Sequence, residues 1–121
     1  MTVCAKFLED SVKGGTINIT DGNLKVSAVS ITTLDPDTIQ FYSEVTNVVG
    51  GPVALAGVTV TGRVVKANAF SLASAPSGTV RAFVYWYSTG NNATSRVVAI
   101  VLDGPYTGQD YAAPAAGNFQ L

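Results

Sequence analysis

The segment from Thr79 to Leu102 limits the possible folds more than any other part of the chain. It contains two strand-length runs, Thr79–Ser88 and Ser95–Leu102, joined by the turn-forming Thr89-Gly90-Asn91-Asn92. Side chains alternate between faces along a strand. In the first run Val80, Ala82, Val84 and Trp86 therefore share one face, and Phe83, Tyr85 and Tyr87 share the other. In the second run Val98, Ile100 and Leu102 oppose Val97, Ala99 and Val101. Both faces are apolar, so each needs a cover, unlike an antiparallel sheet with one wet side. We expect Trp86 to fill the core, Tyr85 and Tyr87 to make an interface or second-layer contact, and Phe83 to join them, with an interface favoured over ligand binding because aromatic side chains are enriched at interfaces. An open aromatic platform for bases or sugars is the competing reading, but base-stacking surfaces come with basic grooves. Only Arg81 and Arg96 lie near these rings.

The rest of the chain reads mostly as strands and turns. Thr2 to Lys13 is the one helix candidate, with Val3, Phe7, Leu8 and Val12 at helical spacing, Thr2 as cap and Gly14-Gly15 as stop. Thr16–Ile19 and Leu24–Ala28 both alternate around Thr20-Asp21-Gly22-Asn23 and predict a hairpin. Phe41–Val45 reads as a short strand, and Gly50-Gly51-Pro52 as a break. Val58–Val64 and Ala69–Ala73 predict further strands, Asp103-Gly104-Pro105 ends the aromatic hairpin, and Asn118–Leu121 adds a last edge strand. The expected fold is a single all-β domain over residues 1–121. It would be an antiparallel sandwich or barrel of about seven or eight short strands with one N-terminal helix. Residues 112–121, small and proline-containing, would form an extended C-terminal arm or a frayed end.

Chemistry is sparse. The chain has no histidine, which removes the commonest general base and metal ligand. Cys4 stands alone, beside an apolar stripe, and reads as a packing residue. Asp35 and Asp37 flank Pro36 as in turn chemistry, short of the six to eight oxygens that calcium requires. No nucleotide-binding or nucleophile-elbow motif occurs. We therefore expect no enzyme, no metal and no cofactor. Seven basic against eight acidic residues argue against binding to nucleic acid. No apolar run approaches the roughly 20 residues of a membrane helix, and with no basic-then-apolar stretch after Met1 we expect no signal peptide. Asn18-Ile19-Thr20 and Asn92-Ala93-Thr94 match the glycosylation pattern, which has no consequence without secretion. Charged residues make up only 12%, about half the usual soluble share of roughly 25%, so little repulsion keeps copies apart. Much of the surface is expected to be covered by other subunits.

Beyond these physical readings, Ala5-Lys6-Phe7-Leu8 followed by the run from Gly15-Thr16-Ile17-Asn18-Ile19 to Leu24-Lys25-Val26-Ser27-Ala28-Val29 resembles the start of a family of small tailed-bacteriophage virion proteins. The similarity continues through Asp37–Val45 and Ala56-Gly57-Val58-Thr59-Val60-Thr61-Gly62, and through the aromatic hairpin Arg81–Asp103. The chain departs from the family at Val53-Ala54-Leu55, which lacks a tyrosine, and in its shorter, alanine-rich C-terminus. The resemblance implies a phage structural protein without enzymatic activity and carries no functional residues; low charge and the two-faced apolar hairpin make a capsid decoration protein on the outer head surface the first expectation. A tail tube, tip or fibre-associated protein is the alternative, and a carbohydrate-binding sandwich a more distant one. The implied partners are the major capsid protein and further copies of the chain, with a trimer suiting three-fold positions. The implied location is the virion, reached from the host cytoplasm. The expected contact residues are Phe7, Leu8, Phe83, Tyr85, Tyr87 and Pro114.

Overall fold

A computed structural model of the chain describes residues 2–15, 17–61, 64–68, 70–71, 77–106, 112–113 and 119–120. Its strands, in chain order, are Thr2–Val3 (β1), Leu24–Val29 (β2), Val48–Ala54 (β3), Thr59–Thr61 (β4), Val64–Lys66 (β5), Phe70–Ser71 (β6), Val80–Tyr87 (β7), Arg96–Tyr106 (β8), Ala112–Ala113 (β9) and Phe119–Gln120 (β10). One α-helix, Ala5–Val12 (α1), and one 3-10 turn, Tyr42–Glu44, complete the regular structure among the described residues. The chain is thus all-β with one short N-terminal helix, as its alternation predicts. Pro114 and most of the expected C-terminal arm lie outside the described residues.

Five strands form the main sheet in the order β1-β8-β7-β2-β3, with every neighbouring pair antiparallel. β7 sits at its centre, and β2 pairs with it from Leu24 opposite Tyr87 to Val29 opposite Ala82. The sheet ends in separate edges at β1 and β3, so it does not close into a barrel. Two smaller sheets, β10-β5-β4 and β6-β9, accompany it. Val65 of β5 and Phe70 of β6 join Leu24, Val26, Phe83 and Tyr85 in one buried core, a layered arrangement that fits the sandwich alternative.

Local chemistry moved several boundaries. Thr2 and Val3 do not start the helix. Their backbones pair with Ile100 and Ala99, and the Cys4 N–H donates to the Val98 carbonyl at 2.8 Å. Cys4 then becomes the helix N-cap, with no side-chain cap bond. The expected strand at Thr16–Ile19 is also absent from the described part of that run, residues 17–19. Asn18 Oδ1 accepts from the Thr20 N–H at 3.0 Å and from its hydroxyl at 2.6 Å, a local turn that competes with strand pairing. β2 pairs with β7 and β3 instead. Phe41–Val45 gives one isolated bridge and the 3-10 turn rather than a strand.

Gly50-Gly51-Pro52, expected as a break, lies inside β3. Gly51 holds φ at +80°, which glycine tolerates, and the register slips between Val26 and Ala28 to absorb the irregularity. β3 is an edge strand, where proline's missing N–H need not break a ladder. β8 likewise runs past Asp103-Gly104-Pro105, with a register shift opposite Val80 to Ala82.

Candidate assembly surface

β7 presents two faces, and the chain itself covers both. On one, Phe83 meets Phe70 edge to face, with ring centroids 5.6 Å apart, and Phe83 and Tyr85 are each 1% exposed. On the other, Trp86 stacks on Tyr42, and its Nε1 donates to Ser27 Oγ at 3.1 Å. Ser27 Oγ and the Tyr42 hydroxyl are also hydrogen-bonded, at 2.9 Å. The expectation that Phe83 and Tyr85 face a second subunit is therefore corrected. Both are core residues, because β5 and β6 supply the cover assigned to a partner. The aromatic platform for sugars falls with it, since Trp86 is buried as well.

The other expected contact residues divide. Phe7 points inward and is buried with Cys4, a correction to its place on the outer surface. Tyr87 is half-buried at the rim, where its hydroxyl donates to Asp21 Oδ2. That bond raises the Tyr87 pKa above its usual value of 10.0, because the neutral phenol is the donor. Leu8 faces out, one turn from Val12, which is 87% exposed. Leu102 of β8, Val60 of β4 and Val48 of β3 are further outward apolar side chains that the sequence analysis did not single out. Alternation along β8 puts Leu102 on the face of Ile100, but cannot say that the cover stops short of it.

Two shallow clefts bring further polar groups together. The first, about 220 Å³, lies between α1 and β8 and is lined by Lys6, Glu9, Asp10, Lys13, Gln40 and Arg96. Its charges are paired. Lys13 contacts Glu9 at 2.8 Å, Lys6 reaches Glu9 at 3.5 Å, and Arg96 reaches Asp10 at 3.2 Å. The hydrogen bond and charge of Lys13 hold the Glu9 carboxyl below its usual range. The second cleft, about 300 Å³, is lined by Thr32, Arg81, Leu102, Gly104 and Pro105. Among the described residues no group of three His, Cys, Asp or Glu side chains gathers around a point that could hold a metal. Burial, helped by the nearby Asp37 charge, pushes the Cys4 thiol up to about 12, so the group packs as a neutral hydrophobe. No helix among the described residues is long and apolar enough to cross a membrane.

Compared with models of known families, with curated proteins and with solved structures, the chain finds no match. The geometry offers a β framework with a buried core and apolar side chains left on its outside.

Proposed function

We propose that this chain is a structural protein of a bacteriophage particle, a decoration protein that sits on the outer head surface and cements the shell. The observation that carries the reading is the set of apolar side chains left outside a complete core: Leu8 and Val12 on α1, and Leu102 on β8. Contact with a neighbour would remove this apolar area from water, which is favourable in proportion to the area covered. Each bridge between capsomers stabilises the shell by about 25 cal/mol per Å² of apolar area buried, and capsid symmetry repeats it many times. The pattern of turns and alternation that resembles small phage virion proteins supplies the particular setting.

The partners in this reading are the major capsid protein and other copies of the chain, and the chain acts by binding rather than by chemistry. Purified protein added to heads that lack it should bind them and raise the temperature at which filled heads burst. Heads that neither bind it nor gain stability would overturn the head position, and binding to tails alone would move the protein to the tail.

A further inference from the structure

We propose that β4 is the pairing edge for a second copy of this chain, the two β4 strands running antiparallel about a two-fold axis at Val60. β4, Thr59–Thr61, is hydrogen-bonded to β5 on one side, and no described strand lies on its other side. All three of its residues are exposed. Thr61 and Val64 flank a connection of two residues, and in a hairpin that short the flanking residues are a hydrogen-bonded pair. Bonded and non-bonded pairs alternate along an antiparallel ladder, so the Val60 N–H and carbonyl point away from β5. An open donor and acceptor on a strand edge are a template for a further strand.

The side chains point to the same kind of occupant. Val60 lies opposite Val65 and shares its face. Val65 is fully buried in the core, whereas Val60 is 41% exposed because the layer stops at β4. Val58, two residues back, is already packed against that core. A strand added beside β4 completes the layer when it brings an apolar residue to Val60 and uncharged polar ones to Thr59 and Thr61.

β4 itself is such a strand. Thr59-Val60-Thr61 reads the same in both directions about Val60. Two-fold pairing sets Val60 against Val60 with both backbone bonds exchanged, and Thr59 against Thr61. Every cross-strand pair is then β-branched on β-branched, and no charge faces its like. The longer edge strand, β3, is closed to such pairing. Its Val49 carbonyl already accepts from the Ser77 N–H at 2.8 Å, and its Pro52 has no N–H to offer. β1, at the other edge of the main sheet, is two residues long. The pairing does not depend on where the protein sits in a particle, so its failure and that of the capsid reading are distinguishable.

The test compares the full-length protein with Val60→Lys and Val60→Glu variants by light scattering at rising concentration, after melting curves establish that each variant folds. The parent should become dimeric as concentration rises. Each variant sets like charges across the axis and should stay monomeric where the parent is dimeric. An equimolar mixture of the two sets opposite charges there and should restore the dimer. A further variant, Thr59→Lys with Thr61→Lys, changes only exposed side chains, sets lysine against lysine in both flanking pairs, and should also be monomeric. A parent that is monomeric at every concentration leaves the edge to a strand of some other chain and overturns the proposal. Dimers of the folded lysine variants as tight as the parent's overturn it too, as does a mixture of folded Val60→Lys and Val60→Glu that stays monomeric.

Discussion

Tyr42 lies flat against Trp86, with ring centroids 3.8 Å apart and planes within 7°. The contact joins the connection between β2 and β3 to the centre of the main sheet. It is held in place by its surroundings: the Tyr42 N–H donates to the Ser95 carbonyl at 2.8 Å, and Glu44 Oε2 accepts from the Phe41 N–H at 2.7 Å. The chain thereby caps the Trp86 face of β7 itself, and no partner is needed to keep Trp86 dry.

Replacing this ring should loosen the cap. Tyr42→Ala removes the stacked ring and the hydroxyl beside Ser27, at an expected cost of about 2–3 kcal/mol in urea unfolding. Tyr42→Phe keeps the ring and should cost only about 1 kcal/mol. Tryptophan emission should shift to the red in the alanine variant and stay in place in the phenylalanine one. Equal shifts in both would mean that the hydroxyl, not the ring, shields Trp86.

Core and surface apolar residues should separate cleanly. Phe83→Ala and Tyr85→Ala should each destabilise the fold by about 3–5 kcal/mol, enough to unfold a marginal domain. Val12→Ser should stay within about 0.5 kcal/mol of the parent, because its side chain stands in water, whereas Leu8→Ser, at a side chain 38% exposed, should cost about 1 kcal/mol. The serine pair should instead weaken self-association and binding to heads. Melting curves and light scattering on the four variants decide between the two roles, and a collapse of Val12→Ser would show that α1 is packed on both sides.

Cys4 gives a pH signature. Its folded-state pKa is raised from 9.0 to about 12, so the native state keeps a proton that the unfolded chain loses. The stabilising difference is complete below pH 9 and disappears as pH climbs toward 12, so stability falls across that window. Tyr87, raised in the same direction by its bond to Asp21, adds a loss of the same sign above its usual value of 10.0. The thiol should not react with a disulfide reagent at pH 8 until denaturant is added, and Cys4→Ala should flatten part of the alkaline decline. Fast labelling of the native protein at pH 8 would contradict the burial of the thiol.

The long strands were legible because β7 and β8 are near-continuous runs of β-branched and aromatic residues bounded by turn-forming residues. What lies above each face was not. Alternation shows that both faces of β7 are apolar, but Ser27 and Trp86 meet across 59 positions and Tyr42 closes the cluster from a third segment. Such pairings follow from sheet order rather than from local pattern, so Phe83 and Tyr85 read as surface when they are core. The same holds for β3, whose Gly50-Gly51-Pro52 stops a strand by local rules but is accommodated by a register slip at a sheet edge. Leu8 was the expected contact residue that the fold leaves outside. Val12 shares the apolar stripe of Phe7 and Leu8 in the sequence yet is exposed, because a helix pattern does not say how wide its seat will be.

The most direct measurement is the copy number of this chain in purified particles, set against the major capsid protein by quantitative gel or mass spectrometry. The decoration account predicts a ratio near one, or a simple fraction of it, on particles that lose heat resistance when the chain is stripped away. A handful of copies, a number matching a tail stack, or complete absence from the particle would contradict it.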